Sequence, residues 1–221
     1  MDFKKFSMVG QDLYSLGLVD SHGGSLSVRE GDKIYITKKN AMLGHLEESD
    51  IIEVPLEGVA GGEDQASIEL ISHRAIYKDT SFNAVIFAKP PCAVALSNSA
   101  DNKIMLQDTD GQTLLKGIPV VRGKGRPGSE EVAKMLPAIY KSGYVVSVVK
   151  DYGSFAIGND ILEALRYTTC LEFSCRIITA SKRPVPVERP REMIKERRSA
   201  IPPSIGVMGR SRNFKRGLGR T

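Results

Sequence analysis

Asn83-Ala-Val-Ile-Phe-Ala-Lys-Pro-Pro-Cys-Ala-Val-Ala-Leu-Ser97 is the stretch on which the reading of the fold turns. Ala84 to Ala88 is continuously apolar, the pattern of a strand buried on both faces. Pro90 and Pro91 break that strand, because proline has no N–H to give a ladder, and proline suits the first turn of the short helix expected next.

Working outward, strand and helix patterns interleave as in a single α/β domain. Phe3, Phe6, Leu13 and Leu16 predict an N-terminal helix ending near Gly17. Lys33–Thr37 and Ile51–Val54 are β-rich runs in a hairpin meander, with a turn signal at Glu30-Gly-Asp32. From Ala66 to Tyr77 the apolar spacing becomes helical and sets Glu69 and His73 four residues apart on one face. Ser129 is an N-cap with Glu130 and Glu131 in the first turn, and Val132, Met135, Leu136, Ile139 and Tyr140 form the stripe of the helix behind it. Tyr144–Val149 and Ser154–Ile157 read as strands. Asp160 then caps a long helix whose Ile161, Ala164, Leu165, Thr168, Leu171, Cys175 and Ile178 share a face.

The 221 residues, 41% hydrophobic, suffice for one sizeable core. No run approaches the roughly 20 apolar residues of a membrane span, and the N-terminus lacks a charged-then-apolar secretory pattern, so a cytoplasmic protein is expected. Cys92, Cys170 and Cys175 form an odd set without Cys-x-x-Cys spacing, which argues against a disulfide framework. The net charge of +5 is uneven, since residues 182–221 hold twelve Lys/Arg against three Glu and leave nineteen basic and twenty-three acidic side chains before them. That division suggests a domain over 1–182 and a basic Pro/Gly/Arg-rich arm over 183–221, with too little apolar content for a core of its own. Arg210-Ser-Arg-Asn-Phe-Lys-Arg216 in the arm is able to meet nucleic acid or an acidic partner, or merely to solubilise or bridge subunits.

Several of these segments together resemble the class II aldolase/adducin family. They are Leu18–Thr37, Ile68–Tyr77, Asn83–Ser97, Pro127–Ala133 and Val148–Gly158 with the helix after it, in family order over about four-fifths of the chain. The resemblance implies a three-layer α/β/α sandwich around a mixed, mostly antiparallel sheet, assembled as a homotetramer with its active site at a subunit interface. It also implies systematic departures. The family's His-x-His zinc pair before the Pro-Pro is Phe87 and Lys89 here, and its third zinc histidine falls in Asp151-Tyr152-Gly153. Neither phenylalanine nor a protonated lysine has a lone pair for Zn²⁺, so neither metal nor cofactor is expected. The phosphate loop is His22-Gly23-Gly24-Ser25 followed after Thr37 by Lys38-Lys-Asn40, and of the two serines before the catalytic glutamate Ser67 remains.

On that resemblance Glu69 takes the acid/base position, and Lys89 stands at the mouth of the pocket facing Glu69 and Tyr152. Lys89 either binds an anionic oxygen in the metal's place or only neutralises Glu69; attack on a carbonyl is a third alternative. Tyr152 is a hydrogen-bond donor or a packing residue. His22, Gly23, Gly24, Ser25, Thr37, Lys38 and Ser67 are the expected cradle for a small anionic, sugar-phosphate-like ligand. Arg122–Gly128 is a second Gly/basic loop able to meet an anion or a neighbouring subunit, or simply to lie in solvent. His73 is read as capping or packing at its helix. Two functions follow: a zinc-independent protein binding a small phosphorylated or carboxylated carbonyl compound, with aldehyde-lyase chemistry if catalytic, or a non-catalytic, adducin-like interaction protein acting through its arm.

Overall fold

A computed structural model describes residues 1–59, 61–123 and 127–181; the 183–221 arm and the centre of the Arg122–Gly128 loop lie outside the described residues. The strands are β1 (Ser25–Glu30), β2 (Lys33–Thr37), β3 (Ile51–Pro55), β4 (Ala84–Ala88), β5 (Lys103–Ile104), β6 (Ile118–Val121), β7 (Val146–Val149) and β8 (Gly153–Gly158). They form one sheet in the order β3-β2-β1-β4-β8-β7-β6-β5. Only the β6–β7 neighbours run parallel, so the sheet is mixed and mostly antiparallel. β4 is central and every residue in it is buried, as its unbroken apolar run requires.

Alternation along the strands supplies two apolar faces. Val85, Phe87, Phe155 and Ile157 point to one side, where α2 (Leu70–Asp79) and α5 (Glu130–Lys141) bury Ile76, Tyr77, Leu136 and Tyr140 against them. Ala84, Ile86 and Ala88 point to the other side, toward Phe6, Val9 and Leu13 of α1 (Phe3–Ser15) and Ala164 of α6 (Ile161–Ser181). Farther along that side, α6 and α3 (Pro91–Ser99) close over Val146, Val148 and Ala156, and α4 (Thr109–Leu114) packs on α6. Helices on both faces of the sheet complete the α/β/α sandwich.

The caps at Ser129 and Asp160 form as read: Ser129 Oγ accepts from Val132 N at 3.4 Å and Asp160 Oδ1 from Leu162 N and Glu163 N at 2.9 Å. Three expectations shift. α2 begins at Leu70 rather than Ala66, because Lys38 bridges Ala66 and Ser67 Oγ turns back to accept from Glu69 N at 3.2 Å. Leu16 lies beyond α1 and is exposed, its place in the core taken by Leu18. β7 begins at Val146, two residues after Tyr144, whose hydroxyl accepts from Lys103 Nζ at 3.1 Å. The three cysteines are free. None of the described helices is long and apolar enough to cross a membrane.

Candidate functional site

Where the ends of β2 and β4 meet the β7–β8 turn and the start of α2, a cavity of about 180 Å³ opens. It is lined by His22, Gly23 and Gly24 before β1, Lys39 and Asn40 after β2, Ser67, Ile68 and Glu69 at α2, Phe87 and Lys89 of the β4 end, Pro127, and Tyr152. The chain segments that carry the resemblance thus converge on one place.

Glu69 is almost fully buried, 2% exposed, and needs partners for its carboxylate. Oε1 accepts the Tyr152 hydroxyl and the Gly128 N–H, the latter at 3.0 Å, and Oε2 accepts from Ser72 Oγ at 3.4 Å. Burial, with the Glu69 carboxylate alongside, pushes the Tyr152 phenol well above the usual tyrosine range. Tyr152 therefore holds its proton and Glu69 is the acceptor.

Phe87 fills the floor. Its ring lies 5.0 Å from Tyr152 and 4.8 Å from Phe155, in tilted contacts within the range of favourable aromatic pairs. This stack explains the Asp151-Tyr152-Gly153 turn. Asp151 takes φ 60°, and a Cβ on Gly153 would stand 2.6 Å from both the Ala88 carbonyl and the Phe87 ring.

Lys89 extends past β4, its backbone N–H bonded to Leu18 O at 2.8 Å. Its ammonium does not pair with Glu69. It faces Asp20, Nζ to Oδ2 3.6 Å, and Asp20 Oδ1 accepts the His22 N–H at 3.1 Å. The neutralising partner expected of the resemblance is Glu69, and the structure gives Asp20 instead, a residue the sequence reading passes over although Asp-x-His-Gly is an Asx-turn signal.

Not every residue of the expected cradle opens into the cavity. His22, Gly23, Gly24 and Ser67 line it, whereas Ser25 is fully buried on β1 with Oγ 3.0 Å from His73 Nε2. Thr37 is buried too, its Oγ1 accepting the Leu26 N–H at 3.2 Å. Lys38 forms a backbone bridge with Ala66 and is not among the lining residues, which include Lys39 and Asn40 instead. His73 packs as read. Its Nδ1 lies 2.6 Å from Ser27 Oγ, which meets Tyr77 OH at 2.7 Å, and burial holds the imidazole down to about 3.

The donor set does not suit the tetrahedral zinc that the resemblance implies for the family. Among the described residues of the lining His22 is the one imidazole and Glu69 the one carboxylate, Tyr152 keeps its proton, and Phe87 and Lys89 offer no lone pair. Among the described residues no three His, Cys, Asp or Glu side chains come together as a metal-holding group. What the arrangement provides is a cationic rim at Lys39 and Lys89, glycine backbone, and a phenol–carboxylate pair beneath.

Residues 4–179 match the Class II Aldolase and Adducin N-terminal domain. The chain is 32% identical over 179 residues to the L-fuculose phosphate aldolase of Methanocaldococcus jannaschii, covering 80% of this chain and 95% of that one. It is 27% identical over 174 residues to the 3-oxo-tetronate 4-phosphate decarboxylase of Haemophilus influenzae, covering 76% and 82% of the two chains. The crystal structure of L-fuculose-1-phosphate aldolase from Thermus thermophilus superposes with a TM-score of 0.75 at 32% identity, covering 81% of this chain and 96% of that one. By sequence and by structural superposition the chain belongs to the class II aldolase and adducin family.

Proposed function

We propose that this protein binds a small phosphorylated or carboxylated carbonyl compound in the Glu69/Lys89/Tyr152 cavity without zinc, Lys89 providing the positive charge that holds the ligand's anionic oxygen. The observation that carries this reading is the lining itself: cations at the rim, no metal donor set, and a buried carboxylate already committed to Tyr152 and Gly128. The relatives act, by name, on phosphorylated sugars and sugar acids, which fits a ligand of this class. Aldol cleavage or enolisation is the matching reaction. In the cleavage Glu69 takes the proton of the substrate hydroxyl as the carbon–carbon bond breaks and its electron pair passes to an enolate facing Lys89; the Tyr152 hydroxyl gives its proton to the enolate carbon and regains one from Glu69, to which it is hydrogen-bonded.

The homotetramer that the resemblance implies, and the cytoplasmic location expected from the apolar pattern of the sequence, belong to the same reading. Exposed Ile68 at the cavity rim and Phe173 on α6, 55% and 62% exposed, are the kind of surface that a subunit contact covers.

Calorimetric titration of phosphoglycolate, a small phosphorylated carboxylate, tests the site. Lys89→Ala is expected to weaken binding about tenfold or more, one lost charge-assisted contact. Glu69→Gln is expected to leave phosphoglycolate binding in place and to lower any turnover of phosphorylated hydroxy-carbonyl compounds about a hundredfold. Unchanged binding in Lys89→Ala contradicts the anchor, and unchanged turnover in Glu69→Gln contradicts the acid/base role.

A further inference from the structure

We infer that Asp20 is a built-in competitor for the ligand's anion: its carboxylate occupies Lys89 in the empty pocket and must give way for an anionic group to bind there. The inference rests on Lys89 being the anion anchor.

The geometry is a three-point tether. Asp20 Oδ2 faces Lys89 Nζ at 3.6 Å, Asp20 Oδ1 accepts the His22 N–H at 3.1 Å, and the Asp20 carbonyl accepts the Gly23 N–H at 3.4 Å. One residue therefore sets the shape of the His22–Gly24 loop and neutralises the lysine beside it. The fit is close, since a Cβ on Gly23 would stand 2.6 Å from Asp20 Oδ1, so glycine is what lets the carboxylate lie over the loop. Lys89 N bonded to Leu18 O fixes the two segments against each other. The pair thus meets on a rigid frame, not by chance reach of long side chains.

The pair is also weak enough to be displaced. Both side chains keep solvent access, Lys89 at 40% and Asp20 at 65%, and such an exposed ion pair contributes little. A ligand phosphate or carboxylate lying between Lys89 and Lys39 finds more donors there than the Asp20 carboxylate does. Asp20 then swings to solvent while its backbone carbonyl still holds Gly23. Its cost to ligand affinity is the cost of breaking the Lys89 pair, which makes it a selectivity device: a neutral carbonyl compound gains nothing by displacing it.

The test is calorimetric titration of phosphoglycolate into the full-length chain carrying Asp20→Asn, Lys89→Ala, or both. Asparagine keeps the acceptor for His22 N and the loop turn while removing the charge. Asp20→Asn is expected to tighten binding about three- to tenfold, and in the Lys89→Ala background the same change is expected to have less than about a twofold effect, because Asp20 acts through Lys89. An affinity unmoved or weakened by Asp20→Asn, while Lys89→Ala still loses binding, overturns the inference alone. An equal gain with and without Lys89 also overturns it, as that is only a general charge effect. Absence of binding in wild type and Asp20→Asn alike removes the anion-pocket reading and the inference with it.

Discussion

Replacing Glu172 with alanine is expected to lower the stability of the fold by about 3 kcal/mol, although the residue lies in the middle of α6. The Pro90-Pro91 pair that ends β4 leaves α3 with no side chain of its own to cap its first turn. Glu172, 2% exposed, reaches across from α6 instead, its carboxylate accepting the Cys92 N–H at 3.0 Å and the Ala93 N–H at 3.1 Å. A lost cap costs about 1 kcal/mol, and bonds to a charged acceptor contribute roughly 1.5–3 kcal/mol, so alanine forfeits the cap and strands the buried Ala93 N–H and the half-buried Cys92 N–H. Arg176, bonded to Glu172 at 3.0 Å but half exposed, rehydrates and adds little. At about 2–4 °C per kcal/mol for a chain of this size, the melting temperature should fall by about 6–12 °C. Glu172→Gln keeps an acceptor oxygen and should recover about half of that. A loss under about 1 kcal/mol in a denaturant titration would contradict this role. The consequence reaches the site, because α3 starts directly after Pro90 and its cap fixes the direction in which Lys89 leaves the sheet.

Acid is expected to be nearly as damaging, through His73. Burial holds its folded pKa at about 3 against about 6.5 in the unfolded chain. The unfolded state therefore binds the extra proton first: the fold has its full stability above about pH 6.5 and loses it as pH falls toward about 3, at up to about 1.4 kcal/mol per pH unit. Between about pH 6.5 and 4.5 this amounts to about 2–3 kcal/mol. The Ser25–His73–Ser27–Tyr77 chain has no carboxylate within it to compensate an imidazolium. His73→Gln, which retains hydrogen bonds and cannot titrate, should flatten that part of the profile. A pH–stability curve of equal slope in both proteins would contradict the assignment.

The sequence reveals the sheet best where residue pattern and environment coincide. Five apolar residues, one lysine and two prolines read as a fully buried strand meeting a helix, and Ser129 and Asp160 announce their helices because caps are local chemistry. The stretch from Ala100 to Val121 is silent by comparison. β5 is two residues, α4 is six, and β6 carries Pro119, so none is long enough to show a period. The missing parts of the site fail for another reason. Glu172 is an unremarked glutamate in a helix until α3 lies beside it, and Gly128 N–H meets Glu69 across 59 residues. Asp20 finds Lys89 only when the strand end and the loop come together. Ser25 and Thr37, which look like loop-end ligands in the sequence, are drawn inward by the pleat of β1 and the end of β2. Long-range partnerships of single polar side chains leave no periodic trace.

This member of the family is expected to hold an anionic ligand with Lys89 and not with zinc. The most direct measurement is phosphoglycolate binding to chelator-treated protein, with and without one equivalent of Zn²⁺, in wild type and Lys89→Ala. The account predicts binding by the metal-free protein, unchanged by zinc and weakened about tenfold or more without Lys89. Binding that appears only when zinc is added, and that survives Lys89→Ala, would contradict it.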